Sequence, residues 1–283
     1  MAQRLQEAEE DLAYADHLRR DLTQSSLLPA VASVRQSLRI SPQLQTAAKD
    51  EREFYTLCRK AVESSGVFVL HDSFPSEDGS GFCLANSRAR LIVINTRGQT
   101  FGRRTFTLIH ELAHALIGET GISDPFVTNN SIERLCNRFA GMFLAPRSLA
   151  EEAFQRYVRS HEPTPQQIYS AAHFLNISQE AVVVRFIQLK LVAPDTHRRW
   201  LSAVQDRGGN PDLIPRSGGG GNVPQERVKL AKYGFTFARV FGQALHESSL
   251  SPIQIFRMSG LKPKYQRPYF DFAAAAGSSD AED

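Results

Sequence analysis

The sequence has few cysteines, and their arrangement excludes two kinds of site. The three cysteines, Cys58, Cys83 and Cys136, are odd in number and form no C-x-x-C pair. Each lies in an otherwise apolar segment, which argues against a disulfide framework and against a cysteine-based zinc site. We therefore expect a protein of a reducing cytoplasm.

The sequence also lacks a long apolar run and a strong excess of charge of one sign. No stretch approaches the roughly 18 apolar residues that a membrane-spanning helix needs. Residues 1–20 are amphipathic and rich in acidic groups, unlike a secretory signal. The formal net charge of +3 is far short of the concentrated Lys/Arg excess that indicates nucleic-acid binding. We expect a cytoplasmic protein with no membrane segment.

What the sequence does contain is a pattern of short apolar runs between helical segments. The chain of 283 residues is 42% hydrophobic, enough for at least one full core. Residues 51–63 have helical periodicity, and the runs at 67–70, 81–85 and 91–95 are typical of strands. This order predicts an α+β fold with a small antiparallel or mixed sheet. We expect about three strands, connected in sequence as a meander.

The motif that carries chemistry is His110-Glu111-Leu112-Ala113-His114. Apolar residues at helical spacing across 103–117, ended by Gly118, predict that the motif lies in a helix. Two histidines four residues apart then share one helix face and can bind one metal ion. Glu111 is rotated by about 100° around the helix from His110, so it is predicted to act as general base rather than as ligand.

A catalytic zinc ion usually takes three protein ligands, so a third group is needed downstream. Glu133 stands 19 residues after His114 on a second predicted helix, 132–144, which Pro146 closes. Small residues on the same face of that helix would allow it to approach the first helix closely. Glu133 is the predicted third ligand.

Several alternatives stay open at this point. Glu119, Asp124 and Cys136 are the rival third ligands, and a thiolate would indicate a structural metal. The group that stabilises the oxyanion is unassigned among Arg103, Arg104 and His173. Position on the second helix favours Glu133 over its rivals, whereas the three oxyanion candidates are not ranked.

Two segments together, RRTFTLIHELAHALIG at 103–118 and IERLCNRFAGMFLAP at 132–146, resemble the ImmA/IrrE family of metallopeptidases. The predicted strands before them and SAAHFLNISQEAVVVRFIQLKLV after them are also similar to that family, so the resemblance covers about residues 50–195. It implies a zincin-like fold of the gluzincin type, in which His110, His114 and Glu133 bind zinc, or manganese, and Glu111 is the catalytic base.

The resemblance also implies a substrate. Members of the family are typically cytoplasmic endopeptidases that cleave a helix-turn-helix repressor and so relieve repression of stress-response or mobile-element genes. Some relatives carry a repressor-like DNA-binding domain at the N-terminus, and residues 1–50 do not have that pattern. The expected partner is therefore a repressor supplied as a separate protein.

The chain is predicted to have six segments. They are an N-terminal helical segment at 1–50, a zinc metallopeptidase domain at 51–160, a helix-turn-helix domain at 161–200, a flexible linker at 201–224, a C-terminal helical module at 225–272 and a disordered tail at 273–283. Within the first, 4–23 is predicted to form a helix that packs on the following domain or forms a short coiled-coil seam.

The alternative function is a DNA-binding regulator that keeps a peptidase-like fold. It rests on the helix-turn-helix pattern and on the cations Arg185, Lys190, Arg198 and Arg199 in or after its second helix. Those cations are sparse. The complete set of metal ligands plus a base favours the peptidase.

Overall fold

The structure is a computed structural model, and it describes residues 22–23, 25–85, 90–118, 121–123, 131–206, 209–213 and 223–278. The helix predicted at 4–23 lies outside these residues, apart from its last two positions. No helix within the described ranges is long and apolar enough to cross a membrane.

Among the described residues, three helices precede the sheet: α1 (Leu27–Ser37), α2 (Pro42–Ala47) and α3 (Glu51–Ser64). The second and third begin at side-chain caps, because the side chains of Ser41 and Asp50 accept hydrogen bonds from backbone N–H groups of the first turn. Helices α1 and α3 contribute to the same hydrophobic core as the sheet.

The sheet has four strands: β1 (Phe68–Asp72), β2 (Gly81–Ala85), β3 (Arg90–Asn95) and β4 (Gly121–Ser123). Their spatial order is β1-β3-β2-β4. Strand β2 is antiparallel to β3 and β4, whereas β1 is parallel to β3, so the sheet is mixed. The predicted meander was therefore wrong about β1 and missed β4. Apolar runs identify strands, but they do not specify which strands pair.

The motif helix α4 (Phe101–Ile117) follows β3 and packs on β2 and β3. It begins where the Thr100 side chain accepts from the backbone of Arg103, and it ends at Gly118 with φ of 82°. Gly81 allows the close approach to the sheet, because a Cβ there would lie 2.6 Å from the Thr107 side chain. Helix α5 (Ser131–Leu144) then packs along α4.

Four helices follow: α6 (Arg147–Tyr157), α7 (Pro165–Leu175), α8 (Gln179–Gln188) and α9 (Thr196–Gln205). The predicted break between α7 and α8 is present, with Asn176 in the left-handed region. The Gln45 side chain donates to Leu144 O at 2.8 Å and to Leu175 O at 2.7 Å, and Asn176 donates back to Gln45 O. These contacts join the helix pair to the core of the preceding segment.

The predicted linker at 201–224 is partly ordered. Helix α9 extends to Gln205, and the Asp212 carboxylate accepts from the backbone N–H groups of Gln179 and Glu180 at the start of α8. Capping of a helix N-terminus by a carboxylate explains why this glycine-containing stretch is held in place. The rest of the predicted linker, at 207–208 and 214–222, lies outside the described residues.

Three C-terminal helices, α10 (Gln225–His246), α11 (Pro252–Ser259) and α12 (Pro263–Ser278), form a second hydrophobic cluster. Phe68 and Leu70 of β1 pack against this cluster. The tail predicted to be disordered at 273–283 is helical as far as Ser278. Alanine is the strongest helix former, and Ala273 is buried in the cluster. Helix propensity and apolar packing therefore both favour a helix in this alanine-rich segment.

Candidate metal centre

The two histidines of the motif lie on the face of α4 that is turned toward α5. His110 is 5% exposed and His114 is 2% exposed. Their Nε2 atoms are 3.2 Å apart. This separation follows from helical geometry, because residues four positions apart stand one turn above each other.

Glu133 reaches both histidines from the first turn of α5. Its Oε2 is 3.2 Å from His110 Nε2, and its Oε1 is 3.0 Å from His114 Nε2. The side chain is 14% exposed, and the N-terminal end of a helix dipole favours a carboxylate there. The third group predicted from sequence is thus brought to the other two.

The donor set fits a tetrahedral metal ion. A zinc ion with ligands at 2.0–2.1 Å requires neighbouring ligand atoms to be about 3.3 Å apart. The separations between the two Nε2 atoms, and from each to the carboxylate, are 3.0–3.2 Å. Two imidazoles and one carboxylate are also a ligand set that catalytic zinc uses, with a fourth position left for water.

The electrostatics of the site keep Glu133 ionised. Partial burial alone would raise the pKa of this carboxyl group, but hydrogen bonds and charge from His110 and His114 outweigh it and lower the pKa to about 2. Glu133 is therefore a carboxylate across the physiological range, as a metal ligand must be.

Glu111 occupies a different side of α4. It is fully buried, and its Cγ would lie 3.6 Å from a Cβ at Gly81, so the side chain packs beside β2. Its charge reaches Cys83 on the same strand: burial first, and then the nearby Glu111, raise the pKa of the Cys83 thiol to about 12. Cys83 is therefore a protonated thiol and not a competing metal ligand.

Among the rival third ligands, only Cys136 falls within the described residues. It is fully buried on α5 and is not part of the group of potential ligands formed by His110, His114 and Glu133. Glu119 and Asp124 lie outside the described part of the chain.

The three candidates for oxyanion stabilisation have other partners. Arg103 lies 3.7 Å from Glu180, and Arg104 donates to the carbonyl of Thr96 at 2.8 Å. His173 is exposed and stacks on Tyr169, with ring centroids 6.2 Å apart. The structure does not direct any of the three to the metal centre.

Of the four cations proposed for DNA binding, Lys190 is exposed, and the other three have protein partners. Arg185 is only 6% exposed and donates to the Ala145 carbonyl. Arg198 and Arg199 both pair with Asp195. A phosphate backbone requires exposed, uncommitted cations, so this helix pair is a poor candidate for DNA docking.

A second cluster of ionisable groups escaped sequence reasoning. We call Tyr55, Arg59, Glu63 and His71 the Arg59 cluster; it lies between α3, β1 and α10. Burial first, and then the positive charge of Arg59, lower the pKa of His71 to about 2, so His71 is neutral. The spacing of Arg59 and Glu63, four residues apart on one helix, could have indicated an ion pair. Their partners in α10 lie at least 172 residues later, so no local pattern indicates the rest of the cluster.

The match to a known family agrees with this geometry. Residues 62–186 match the family model of the IrrE N-terminal-like domain, Peptidase_M78, and this range contains both α4 and α5. No curated protein matches the chain. Residues 62–186 therefore form an IrrE N-terminal-like domain of the Peptidase_M78 family, which is consistent with an ImmA/IrrE family metallopeptidase.

Proposed function

We propose that the protein is a metal-dependent endopeptidase that cleaves one regulatory protein at a specific site. The observation that carries the proposal is the convergence of His110, His114 and Glu133, with ligand atoms 3.0–3.2 Å apart. We assign these three side chains as metal ligands. Imidazole and carboxylate suit zinc, and manganese is the alternative.

The metal, when bound, would lower the pKa of a water molecule and polarise the scissile carbonyl. Glu111 is assigned as general base: it accepts a proton from the attacking water and then donates it to the leaving amine. Its burial between α4 and β2 keeps the carboxylate in a fixed orientation.

The proposed substrate is a helix-turn-helix repressor supplied as a separate protein, whose cleavage would induce stress-response or mobile-element genes. This part rests on the resemblance to the ImmA/IrrE family. We place the protein in the cytoplasm on the same ground, since a repressor acts there.

Co-expression with the repressor encoded nearest to this protein tests the proposal, with fragments read by gel and by mass. The wild type should cleave one bond, and Glu111→Gln should slow cleavage by at least about 100-fold, the usual contribution of a general base. Glu162→Gln is the matched control, because Glu162 is 74% exposed and pairs with Arg199 on the surface. Equal survival of the repressor with the wild type and with Glu111→Gln contradicts the proposal for that substrate.

Metal content tests the ligand assignment separately. Mass spectrometry of the purified protein should find about one zinc or manganese ion per wild-type chain. Glu111→Gln should retain the ion, because Glu111 is assigned as base and not as ligand. Loss of the ion from this variant would reassign Glu111.

A further inference from the structure

A pocket of about 490 Å³ lies on the opposite end of α5 from Glu133. Residues of α1, α5, α6 and α8 line it. Leu28, Val31, Met142 and Pro146 give it apolar walls. Its size is within the range of sites for small molecules.

The polar lining of this pocket has one sign of charge. Arg35, Arg39, Arg147 and Arg185 line it, and no aspartate or glutamate among the described residues does so. The charge of Arg138, on α5, also acts on Arg185. We call these five residues the arginine cluster.

Two members of the cluster have a structural task. Arg35 donates to the carbonyl of Phe143, and Arg185 donates to the carbonyl of Ala145 at 2.8 Å. These carbonyls belong to the C-terminal end of α5, which lacks intrahelical donors and carries partial negative charge. Capping of α5 therefore explains why two arginines are present here.

Capping does not balance their charge. A helix C-terminus supplies about half of a negative charge, whereas Arg35 and Arg185 carry two positive charges and are each 6% exposed. Neither has a carboxylate partner within the described part of the chain. Nη2 of Arg35 is buried there without a hydrogen-bond acceptor. Buried cations are unfavourable unless they are paired, so these two guanidinium groups favour an anion beside them.

Among the described residues, an acidic side chain contacts the cluster at its exposed rim. Glu151 pairs with Arg147 at 2.9 Å, and the two side chains are 45% and 69% exposed. Solvent screens such a pair strongly, so it leaves the charge of the two buried guanidinium groups uncompensated.

We propose that this pocket binds a small anion that carries a phosphoryl or carboxylate group on an apolar body. The arginines would hold the charged group, since guanidinium forks match both kinds of oxyanion. Leu28, Val31 and Met142 would contact the apolar part. The site is separate from the metal centre and its occupancy does not require peptidase activity.

The position suggests how such a ligand would act on the enzyme. Phe143 and Glu133 are ten residues apart on one helix, about 15 Å along its axis. A ligand that binds the guanidinium groups would alter how they hold the end of α5. The same helix places Glu133 in the metal centre, so the pocket is a regulatory site for the proposed activity.

Isothermal titration calorimetry on the full chain tests the binding directly, with phenyl phosphate, benzoate, inorganic phosphate and uncharged phenol as probes. Phenyl phosphate or benzoate should bind at one site with a Kd at or below about 1 mM, and phenol should not bind. The preferred probe distinguishes a phosphoryl from a carboxylate site.

Variants at the exposed rim avoid unfolding the protein. Arg39→Gln with Arg147→Gln should weaken binding by about tenfold or more, as expected for lost charge-assisted hydrogen bonds. Arg198→Gln is the matched control, because Arg198 is 83% exposed on α9, away from the pocket lining. Absence of saturable binding by the wild type, or equal weakening by Arg198→Gln, would overturn the proposal.

The same titration on Glu111→Gln separates this proposal from the proposed function. Binding should be unchanged in this variant, because Glu111 does not line the pocket. If the variant and the wild type both bind the probe but the wild type leaves the repressor uncleaved, the peptidase is rejected and the anion site is kept. A wild-type protein that cleaves the repressor but does not bind the probe would reject the anion site and keep the peptidase.

Discussion

The metal centre and the Arg59 cluster are built from similar side chains but differ in what those side chains face. In the metal centre, two imidazoles and a carboxylate turn toward one point, with separations of 3.0–3.2 Å. In the Arg59 cluster, Arg59 and Glu63 bind backbone groups of other elements, and Tyr55 and His71 contact each other. Arg59 donates to the carbonyls of Val69 and Ala231, both at 2.7 Å.

The carboxylates show the same difference. Glu133 accepts from two histidines, and its pKa is lowered to about 2. Burial raises the pKa of Glu63, although Arg59 and the backbone N–H of Phe235 act in the opposite direction. Side chains that converge on one point can form a ligand site. Buried charged side chains that hydrogen-bond to the backbone of other elements, as Arg59 and Glu63 do, instead form a joint between two parts of the fold.

The largest expected effect comes from His114→Ala. Removing one of the three proposed ligands should lower the affinity for zinc by more than about 100-fold, measured by competition with a chromogenic chelator. His71→Ala is the matched histidine in the Arg59 cluster and should bind zinc like the wild type. Equal losses in both variants would show that the two clusters are not functionally distinct.

The second-largest effect is expected at the joint where the Arg59 cluster meets α10. Gly234 has φ of 78°, and a Cβ there would lie 1.7 Å from Oε1 of Glu63. Gly234→Ala should therefore lower the free energy of unfolding by more than about 3 kcal/mol, measured in urea.

Gly260→Ala separates the clash from backbone strain. Gly260 has φ of 72°, but a Cβ there would meet nothing within 4 Å. This variant should lose only about 1 kcal/mol, the strain of a left-handed residue. Similar losses in both variants would mean that the contact with Glu63 contributes nothing.

A smaller effect is expected from pH. His71 is neutral in the folded protein because burial lowers its pKa to about 2, whereas a histidine in an unfolded chain has a pKa of about 6.5. Below that value the unfolded state binds a proton that the folded state does not. Stability should therefore be intact above pH 6.5 and fall by up to about 1.4 kcal/mol per pH unit below it.

His71→Asn tests this contribution. Urea unfolding at about pH 7 and pH 5 should give a smaller loss of stability for the variant than for the wild type. Parallel losses in the two proteins would assign the acid sensitivity to other groups.

The smallest effect is expected outside both clusters. Arg147 and Glu151 form an exposed pair, so Arg147→Gln should change the free energy of unfolding by less than about 0.5 kcal/mol. A larger loss would show that surface charge, and not only the buried joint, stabilises the fold.

Much of the local structure could be predicted from the sequence. Periodicity placed α4 and α5 almost to their ends, and helix phase put His110 and His114 on one face. These features depend on residues within one or two turns of each other, so local rules are sufficient for them. The proposal of Glu133 followed from the same phase argument and from its place on the second helix.

Pairing between distant segments could not be predicted in this way. The parallel alignment of Val69 with Ile92 and the short strand β4 depend on contacts across the sheet. The burial of Arg185 depends on the C-terminal end of α5, 40 residues earlier. The sequence shows that a position carries an arginine, but it does not show which backbone carbonyl the guanidinium group binds.

The sequence by itself determined the chemistry that is available: the two histidines and the glutamate of one helix turn, a second helix with Glu133, and the α+β class. The tertiary structure decided which groups meet. It brought Glu133 within 3.0–3.2 Å of both histidines and joined Arg59 to Ala231. It also gathered five arginines around a pocket that no aspartate or glutamate of the described residues lines. The physical reason is that ligand geometry, desolvation and charge pairing depend on distances in space, which side chains far apart in the chain acquire only when the core forms.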